Sequence, residues 1–450
     1  MHITLVKPSW EYPISAADST YNRVWPPLEL LNCAAILRGD GHDVDVIDAH
    51  AERLPPERVG ERTRGADLVV LTTSALDRWQ CPPLQLAPVV ATAEAIRPVV
   101  GKLALTGFHG TYAPERMLAM TGADLVIRGE PEMTVRELAV GTSPEDILGL
   151  SGQDFSTSDR PLLDLTELPM PAFDLIDPRR YDYEILGRQF ALLEGSRGCR
   201  FDCAFCSKRT MMGTGMRVKS PDQLAEEVDE VVRLGFRSAY FIDLEWTANR
   251  ELVESISRHI LDRRHKLRWC CQTRADLVDP PLLKLMRQAG CRLIHFGVET
   301  GSPRIAKEMR KAIKVERQVE AVAAARRAGM ETLCFFLFGF PGETDEEMDA
   351  TVALARRIGP TYASFHRITP YPGSGLFDEY LHAGKSADDE SIIIPEFHGD
   401  EERQADIDRR VRQAIKGYYL RPGYICKRLI SASPAMLWRQ FRLFLGYMRR

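Results

Sequence analysis

Short apolar runs recur along the first third of the chain, separated by stretches whose apolar positions repeat every three or four residues. Residues 3–6, 43–48, 67–73, 102–106 and 124–127 read as strands, and 27–38 as a helix. Short buried strands spaced by helices predict a parallel, doubly wound sheet, which binds ligands at the carboxyl ends of its strands. The loops at those ends are 7–27, 72–83, 106–114 and 128–134. A second series starts near Phe190. Its strands are 191–195, 238–242, 268–272, 293–298, 332–338 and 362–367, and its helices are 221–234, 250–263, 280–289, 315–328 and 345–358. In the first of these helices Leu224, Val228, Val231 and Val232 share one face. Six strands in this alternation predict a partial (β/α)6 TIM barrel, open on one side, with polar strand ends converging on one mouth. Between the two series, residues 141–188 are rich in Pro, Asp and Ser, and 168–178 reads as extended because each Pro biases its predecessor that way. The expected α/β organisation is therefore a Rossmann-like domain at 1–140, a strap at 141–188, a partial barrel at 189–385 and a helical tail at 386–450.

Chemistry concentrates in Ser196-Arg-Gly-Cys199-Arg-Phe-Asp-Cys203-Ala-Phe-Cys206, a C-x3-C-x2-C run. Three thiolates on one tight loop can hold three irons of a [4Fe–4S] cube. The next cysteines are Cys270 and Cys271, so the fourth iron is left open to a small molecule. Structural zinc wants four ligands, usually as two separated pairs, and this loop has one triplet and no His. The loop resembles that of the radical S-adenosylmethionine (SAM) enzymes, including Phe205 before the last Cys. The resemblance extends over about 193–377, through the strand ends Asp243-Leu-Glu245, Gln272-Thr-Arg274-Ala-Asp276, Gly297-Val-Glu299-Thr-Gly301 and Gly339-Phe-Pro-Gly-Glu343. It implies Cys199, Cys203 and Cys206 as cluster ligands and Phe205 beside the SAM site. Glu245 would then hold the SAM amine, Arg274 its carboxylate, and Gln272 and Glu299 the ribose hydroxyls. Gly339 and Pro341 would let adenine lie against the backbone. The alternative for each side chain taken singly is an ordinary barrel-rim salt bridge. Cys270, Cys271, Cys291 and Cys334 lie in or beside strands and are expected in the core.

The first domain resembles the cobalamin-binding domain that precedes many radical SAM barrels. The likeness lies in Pro27-Leu-Glu-Leu-Leu, Gly41-His-Asp-Val-Asp-Val-Ile-Asp48, Ser74-Ala-Leu76 and Arg128-Gly-Glu-Pro-Glu132. It implies Ser74, Leu76, Gly107, His109 and Gly110 at the cobalamin, small residues there letting the backbone approach a bulky ligand. The usual Asp-x-His-x-x-Gly signature is absent from the first loop. Asp48-Ala-His50 matches it in part but follows the second strand. The alternative is a degenerate flavodoxin-like domain that only packs on the barrel. Trp10, Tyr12, Tyr21 and Trp25 could cover a corrin face or pack the loop.

Net charge is −4, so the whole chain makes no electrostatic case for nucleic acid. Ten cysteines with no secretory signal and no long apolar run fit a reducing cytoplasm. From Arg409 onward there are eleven Lys or Arg and no Asp or Glu, and 435–448 can form a basic amphipathic helix. That tail is either packed on the barrel with a solvated basic edge, attached to an anionic membrane surface, or placed to capture an acidic or lipid-like substrate. The resemblance implies a cobalamin-dependent radical SAM enzyme. Its first reading is a C-methyltransferase acting on an unactivated carbon of a small-molecule substrate, through a 5′-deoxyadenosyl radical and methylcobalamin. Flavodoxin or ferredoxin would supply electrons. The rivals are a radical SAM oxidative cyclase, a rearrangement or the transfer of another SAM-derived group, all without methyl transfer, and a non-enzymatic cobalamin or redox sensor.

Overall fold

The structure, a computed structural model, describes residues 1–9, 13–15, 19–20, 24–74, 86–183, 185–311, 313–382, 401–431 and 437–438. The N-terminal sheet contains β1 (His2–Lys7), β2 (Asp43–Asp48), β3 (Leu68–Thr72), β4 (Leu103–Thr106), β5 (Leu125–Ile127) and β6 (Leu150–Ser151), in the order β2-β1-β3-β4-β5-β6. The first five are parallel, and β6 closes the edge antiparallel to β5. Every residue of β3 and β4 is buried, because helices cover both faces. The edge strand β6 was not foreseen. Two residues give no periodicity to read, and they lie within the expected strap.

The second sheet contains β7 (Phe190–Leu193), β10 (Ser238–Phe241), β11 (Arg268–Thr273), β12 (Cys291–Glu299), β13 (Glu331–Phe338) and β14 (Tyr362–Arg367), all parallel and in that order. Strands β7 and β14 are its two edges, so the barrel is open. Local signals account for how closely the expected helices match. The helix Asp345–Ile358 opens on a capping box, in which the Glu347 N–H donates to Thr344 Oγ1 (3.3 Å) and the Thr344 N–H to Glu347 Oε2 (3.0 Å). It stops at Gly359, whose φ of 57° favours glycine. Between β7 and β10 lies an antiparallel hairpin, β8 (Ser196–Cys199) with β9 (Gly215–Val218).

The edge strand β14 is covered by a tail helix, Glu401–Tyr419. The Tyr419 hydroxyl accepts from the Ala363 N–H (3.0 Å) and donates to the Ala363 carbonyl (2.9 Å), satisfying backbone groups that an open edge would leave to solvent. Of the run 435–448, only 437–438 fall within the described residues. The two domains share one core. Trp25 is 5 % exposed and packs its ring on Tyr183, Phe190 and Tyr240. This settles Trp25 as packing; Trp10, Tyr12 and Tyr21 lie outside the described residues.

Candidate functional site

Cys199 ends β8, and Cys203 and Cys206 follow on the loop. The preceding Gly198 has φ 85°, and a Cβ there would stand 2.3 Å from the Gly215 carbonyl oxygen, so the hairpin requires glycine next to the first thiol. The Cys206 N–H donates to the Cys203 carbonyl (3.1 Å). Ala204 pins the loop to the barrel, donating to the Met309 carbonyl (3.0 Å) and accepting from the Leu376 N–H (2.8 Å). None of the three is in a disulfide. Burial pushes the Cys199 thiol up, and Glu245 adds to the rise. Burial also raises Cys203, with Lys311 acting against it.

The strand ends meet these thiols. Glu245, after β10, keeps some surface in solvent, yet the protein around it pushes its carboxyl up to about 7, with Lys311 and Arg274 opposing the rise. Glu299 ends β12 with φ 69°, a left-handed conformation uncommon outside glycine, and its Oε1 lies 2.7 Å from Lys311 Nζ. Arg274 stacks on the Phe201 ring (3.9 Å to the centroid) and holds Asp276 through two nitrogens at 3.0 Å. Gln272 accepts from the Tyr240 hydroxyl (3.1 Å). Phe205 packs against the apolar group Ile305, Met309, Phe340, Ile368 and Leu376, beside Gly339 and Pro341. Gly339 has φ 84°. Its N–H and that of Phe340 donate to Glu343 Oε2 at 2.6 and 3.1 Å. The structure therefore gathers Cys199, Cys203, Glu245, Arg274 and Glu299 around Lys311. Lys311 has no signature in the sequence: it follows a short helix, Pro303–Glu308, in a stretch with no pattern of its own. Cys270, Cys271, Cys291 and Cys334 are buried in the core.

Two carboxyls here bear on stability. Burial pushes Glu343, and likewise Asp243, up to about 7, against two hydrogen bonds each. Asp243 takes its bonds from the Gly195 N–H (3.0 Å) and the Ser196 hydroxyl (2.5 Å). A carboxyl raised by folding binds its proton more tightly in the folded state, so stability falls as pH rises from about 4.5 to 7 and is level above. Between pH 5 and 7 the loss is about 2–3 kcal/mol per group. Chemical denaturation of the cofactor-free protein across that range should show the decline, and Glu343→Gln should remove the share of Glu343 while leaving that of Asp243.

The other cluster of candidates lies at the ends of β3 and β4. Gly107 has φ 107°, and a Cβ there would stand 2.6 Å from Ser74 Oγ and 2.7 Å from Thr73 Oγ1. Both hydroxyl oxygens are buried and, among the described residues, have no hydrogen-bond partner. His109 is buried in the short helix Phe108–Tyr112. Gly110 faces Val126, where a Cβ would come within 2.8 Å of Cγ1, so its small size serves helix-to-strand packing. Leu76 lies outside the described residues. Asp48 of the partial signature accepts from the Ala51 N–H (3.0 Å) and the Tyr181 hydroxyl (3.1 Å), a structural engagement.

Residues 193–355 match the radical SAM superfamily, and residues 14–139 match the B12 binding domain. An uncharacterized methyltransferase of Pyrococcus horikoshii is 30% identical, the match covering 98% of this chain and 97% of that protein. The chain belongs to the cobalamin-binding radical SAM superfamily. A further relative is the anaerobic magnesium-protoporphyrin IX monomethyl ester cyclase of Rubrivivax gelatinosus, 24% identical over 84% of this chain and 70% of that one. The solved structure of the cobalamin-dependent S-adenosylmethionine radical enzyme OxsB, with aqua-cobalamin and S-adenosylmethionine bound, has the same fold. Its TM-score is 0.76 at 14% identity, covering 99% of this chain and 72% of that one.

This radical SAM enzyme uses a [4Fe–4S] cluster, SAM and cobalamin, and its residues fit them. Three cysteines outside any disulfide, with no histidine in the loop, suit iron–sulfur chemistry better than zinc. Two buried hydroxyls without partners among the described residues, beside a glycine whose Cβ would fill the gap, suit a polar ligand tail. The two halves touch here, because the helix Phe108–Tyr112 contacts Lys208–Met212 just beyond the cysteine loop.

A buried ion network joins the halves a second time. Arg197, two residues before Cys199, reaches Glu130 (3.0 Å) and Glu132 (2.7 Å) of the cobalamin domain and Glu194 (2.8 Å) of the barrel. Arg217 also holds Glu130 (2.8 Å). The Arg128-Gly-Glu-Pro-Glu132 run thus contributes an interdomain clamp. Its residues were legible as a motif, but their partner across the domain boundary was not.

Proposed function

We propose that the protein is a cobalamin-dependent radical SAM methyltransferase that acts on an unactivated carbon of a small molecule. One observation supports this above the rest: the cysteine loop and the Gly107 loop belong to different domains, yet their following helices pack on each other. Cofactors seated at both loops would face one substrate. Once bound, they supply a carbon radical and a methyl group. Cys199, Cys203 and Cys206 would hold the cluster. Glu245 would take the SAM amine and Arg274 its carboxylate, while Glu299 and Gln272 receive the ribose hydroxyls. Phe205, Gly339 and Pro341 would line the adenine. Ser74, Leu76, Gly107, His109 and Gly110 would border the cobalamin, Ser74 through its buried hydroxyl and Gly110 by letting the helix approach the sheet.

The test is anaerobic reconstitution with methyl-deuterated SAM, a strong reductant and a small-molecule extract. The expected result is 5′-deoxyadenosine and S-adenosylhomocysteine formed together, with the deuterated methyl in a product. Deoxyadenosine without label transfer would favour a cyclase-like reaction, and no SAM cleavage would favour a sensor. A variant locates the cobalamin. Gly107→Ala should lose cobalt while keeping about four irons per chain, because the added methyl would collide with the Thr73 and Ser74 hydroxyls. Metal analysis reads both numbers.

A further inference from the structure

We propose that the C-terminal helices form a docking surface for an anionic lipid bilayer. The helix Pro422–Ser431 sits on the barrel through polar groups. Its Tyr424 hydroxyl donates to the Thr361 carbonyl (3.0 Å), and Arg428 reaches Glu331 (2.9 Å) and the Tyr362 hydroxyl (3.0 Å). The outward face is apolar: Ile425 is 41% exposed, Leu429 61% and Ile430 87%, with Leu420 at 48% just before the helix. Ile425 and Leu429 stand one turn apart, and Cys426 and Ile430 form the neighbouring row. An ordinary surface helix turns its apolar side inward and its polar side out; this helix does the reverse.

Exposed cations flank that face. Lys416 and Lys427 are exposed. Partial burial, and then the nearby Arg326 and Arg428 charges, hold the Lys427 ammonium below its usual range. The acids of the preceding helix, Glu401, Glu402, Asp406 and Asp408, all lie in its first half. The stretch from Arg409 to Arg450 holds eleven cations and no acid, although Arg409, Arg410 and Arg428 pair with acids from elsewhere in the chain. Apolar side chains flanked by lysine and arginine match the boundary between headgroups and acyl chains of an anionic leaflet. A second copy would bring the same positive charge and be repelled. No helix of the described residues is long and apolar enough to cross a membrane, so attachment is at the surface.

The experiment is co-sedimentation of the full-length holoenzyme with vesicles of phosphatidylglycerol or phosphatidylcholine. Phosphatidylglycerol should bind about tenfold more tightly or better, and high salt should remove the difference. Leu429→Asp with Ile430→Asp should lower binding about tenfold by removing apolar insertion. Lys416→Gln with Lys427→Gln should weaken binding to phosphatidylglycerol alone. Both variants should keep the circular dichroism and the deoxyadenosine yield of the parent, since these side chains are exposed and lie outside the cofactor loops. Absence of vesicle binding overturns the proposal, as does equal binding to both lipids. So does displacement of the vesicles by RNA that the Leu429→Asp, Ile430→Asp protein binds unchanged. Vesicle binding needs neither substrate nor methyl transfer, so this inference and the proposed reaction fail separately.

Discussion

Cys199→Ala is expected to lower bound iron from about four per chain to below one and to reduce SAM cleavage to background. A cube held by Cys199, Cys203 and Cys206 would have no ligand in reserve, and Cys199 is the buried member of the three. It closes a hairpin in which Gly198 is pressed against the Gly215 carbonyl, so the loop has no room to offer another donor from the same place. Burial also raises the Cys199 and Cys203 thiols. They would lose their protons to iron only if the metal repaid the cost, which would make the site steeply dependent on having all three. Iron and sulfide analysis after anaerobic purification, with the spectrum of the reduced cluster, checks the first part; deoxyadenosine formation checks the second. Cys426→Ser is the control, since Cys426 is exposed on the tail helix and should leave the iron count unchanged. Full iron retention in Cys199→Ala would remove the cysteine triplet as the cluster site.

The contrast with Gly107→Ala separates the two halves of the molecule. One variant should lose iron and the other cobalt. A common loss of both would mean that each substitution had unfolded the shared core around Trp25.

Much of this was legible because the signals were local. The helix Asp345–Ile358 announces its start in Thr344 and Glu347 and its end in Gly359. The parallel strands are apolar runs bounded by turn residues, and the cysteine spacing states its chemistry over eight residues, 199–206. What escaped depends on contacts between distant segments. The two-residue strand Leu150–Ser151 exists only because the edge of the first sheet is there to pair with it. Lys311 matters because the chain brings it 2.7 Å from Glu299, which its neighbours in sequence do not foretell. Gly110 belonged to a run of small residues read as a ligand cradle, yet the contact it permits is with Val126. Arg274 was expected to stand ready for a carboxylate, and it stands already held by Asp276 and Phe201. That pre-engagement fixes the guanidinium in one place, which is what a positioning group requires.

The second large effect is expected at Arg197. Its side chain is fully enclosed and touches three carboxylates, Glu130, Glu132 and Glu194, two from one domain and one from the other. Removing one partner of a buried ion cluster leaves charges without compensation and costs about 3–5 kcal/mol. Arg197→Met should therefore destabilise the protein by about that amount in chemical denaturation. Arg197→Lys should recover only part, because an ammonium cannot span the fork that a guanidinium presents to Glu130 and Glu132 together. The double variant Arg197→Met, Glu132→Gln tests the cause. If the loss comes from stranded negative charge, removing Glu132 should return some stability, and the two effects should fall short of their sum. If the loss is only one of packing volume, Glu132→Gln should add its own penalty in full. Arg197 lies two residues before Cys199 and grips the loop after β5, so loosening it also frees the cysteine loop from the cobalamin domain. In Arg197→Lys that should appear as deoxyadenosine formed in excess of S-adenosylhomocysteine, radical generation continuing while methyl transfer falls behind. A matched decline of both products, with the thermal stability of the parent, would place the clamp outside the coupling of the two cofactors.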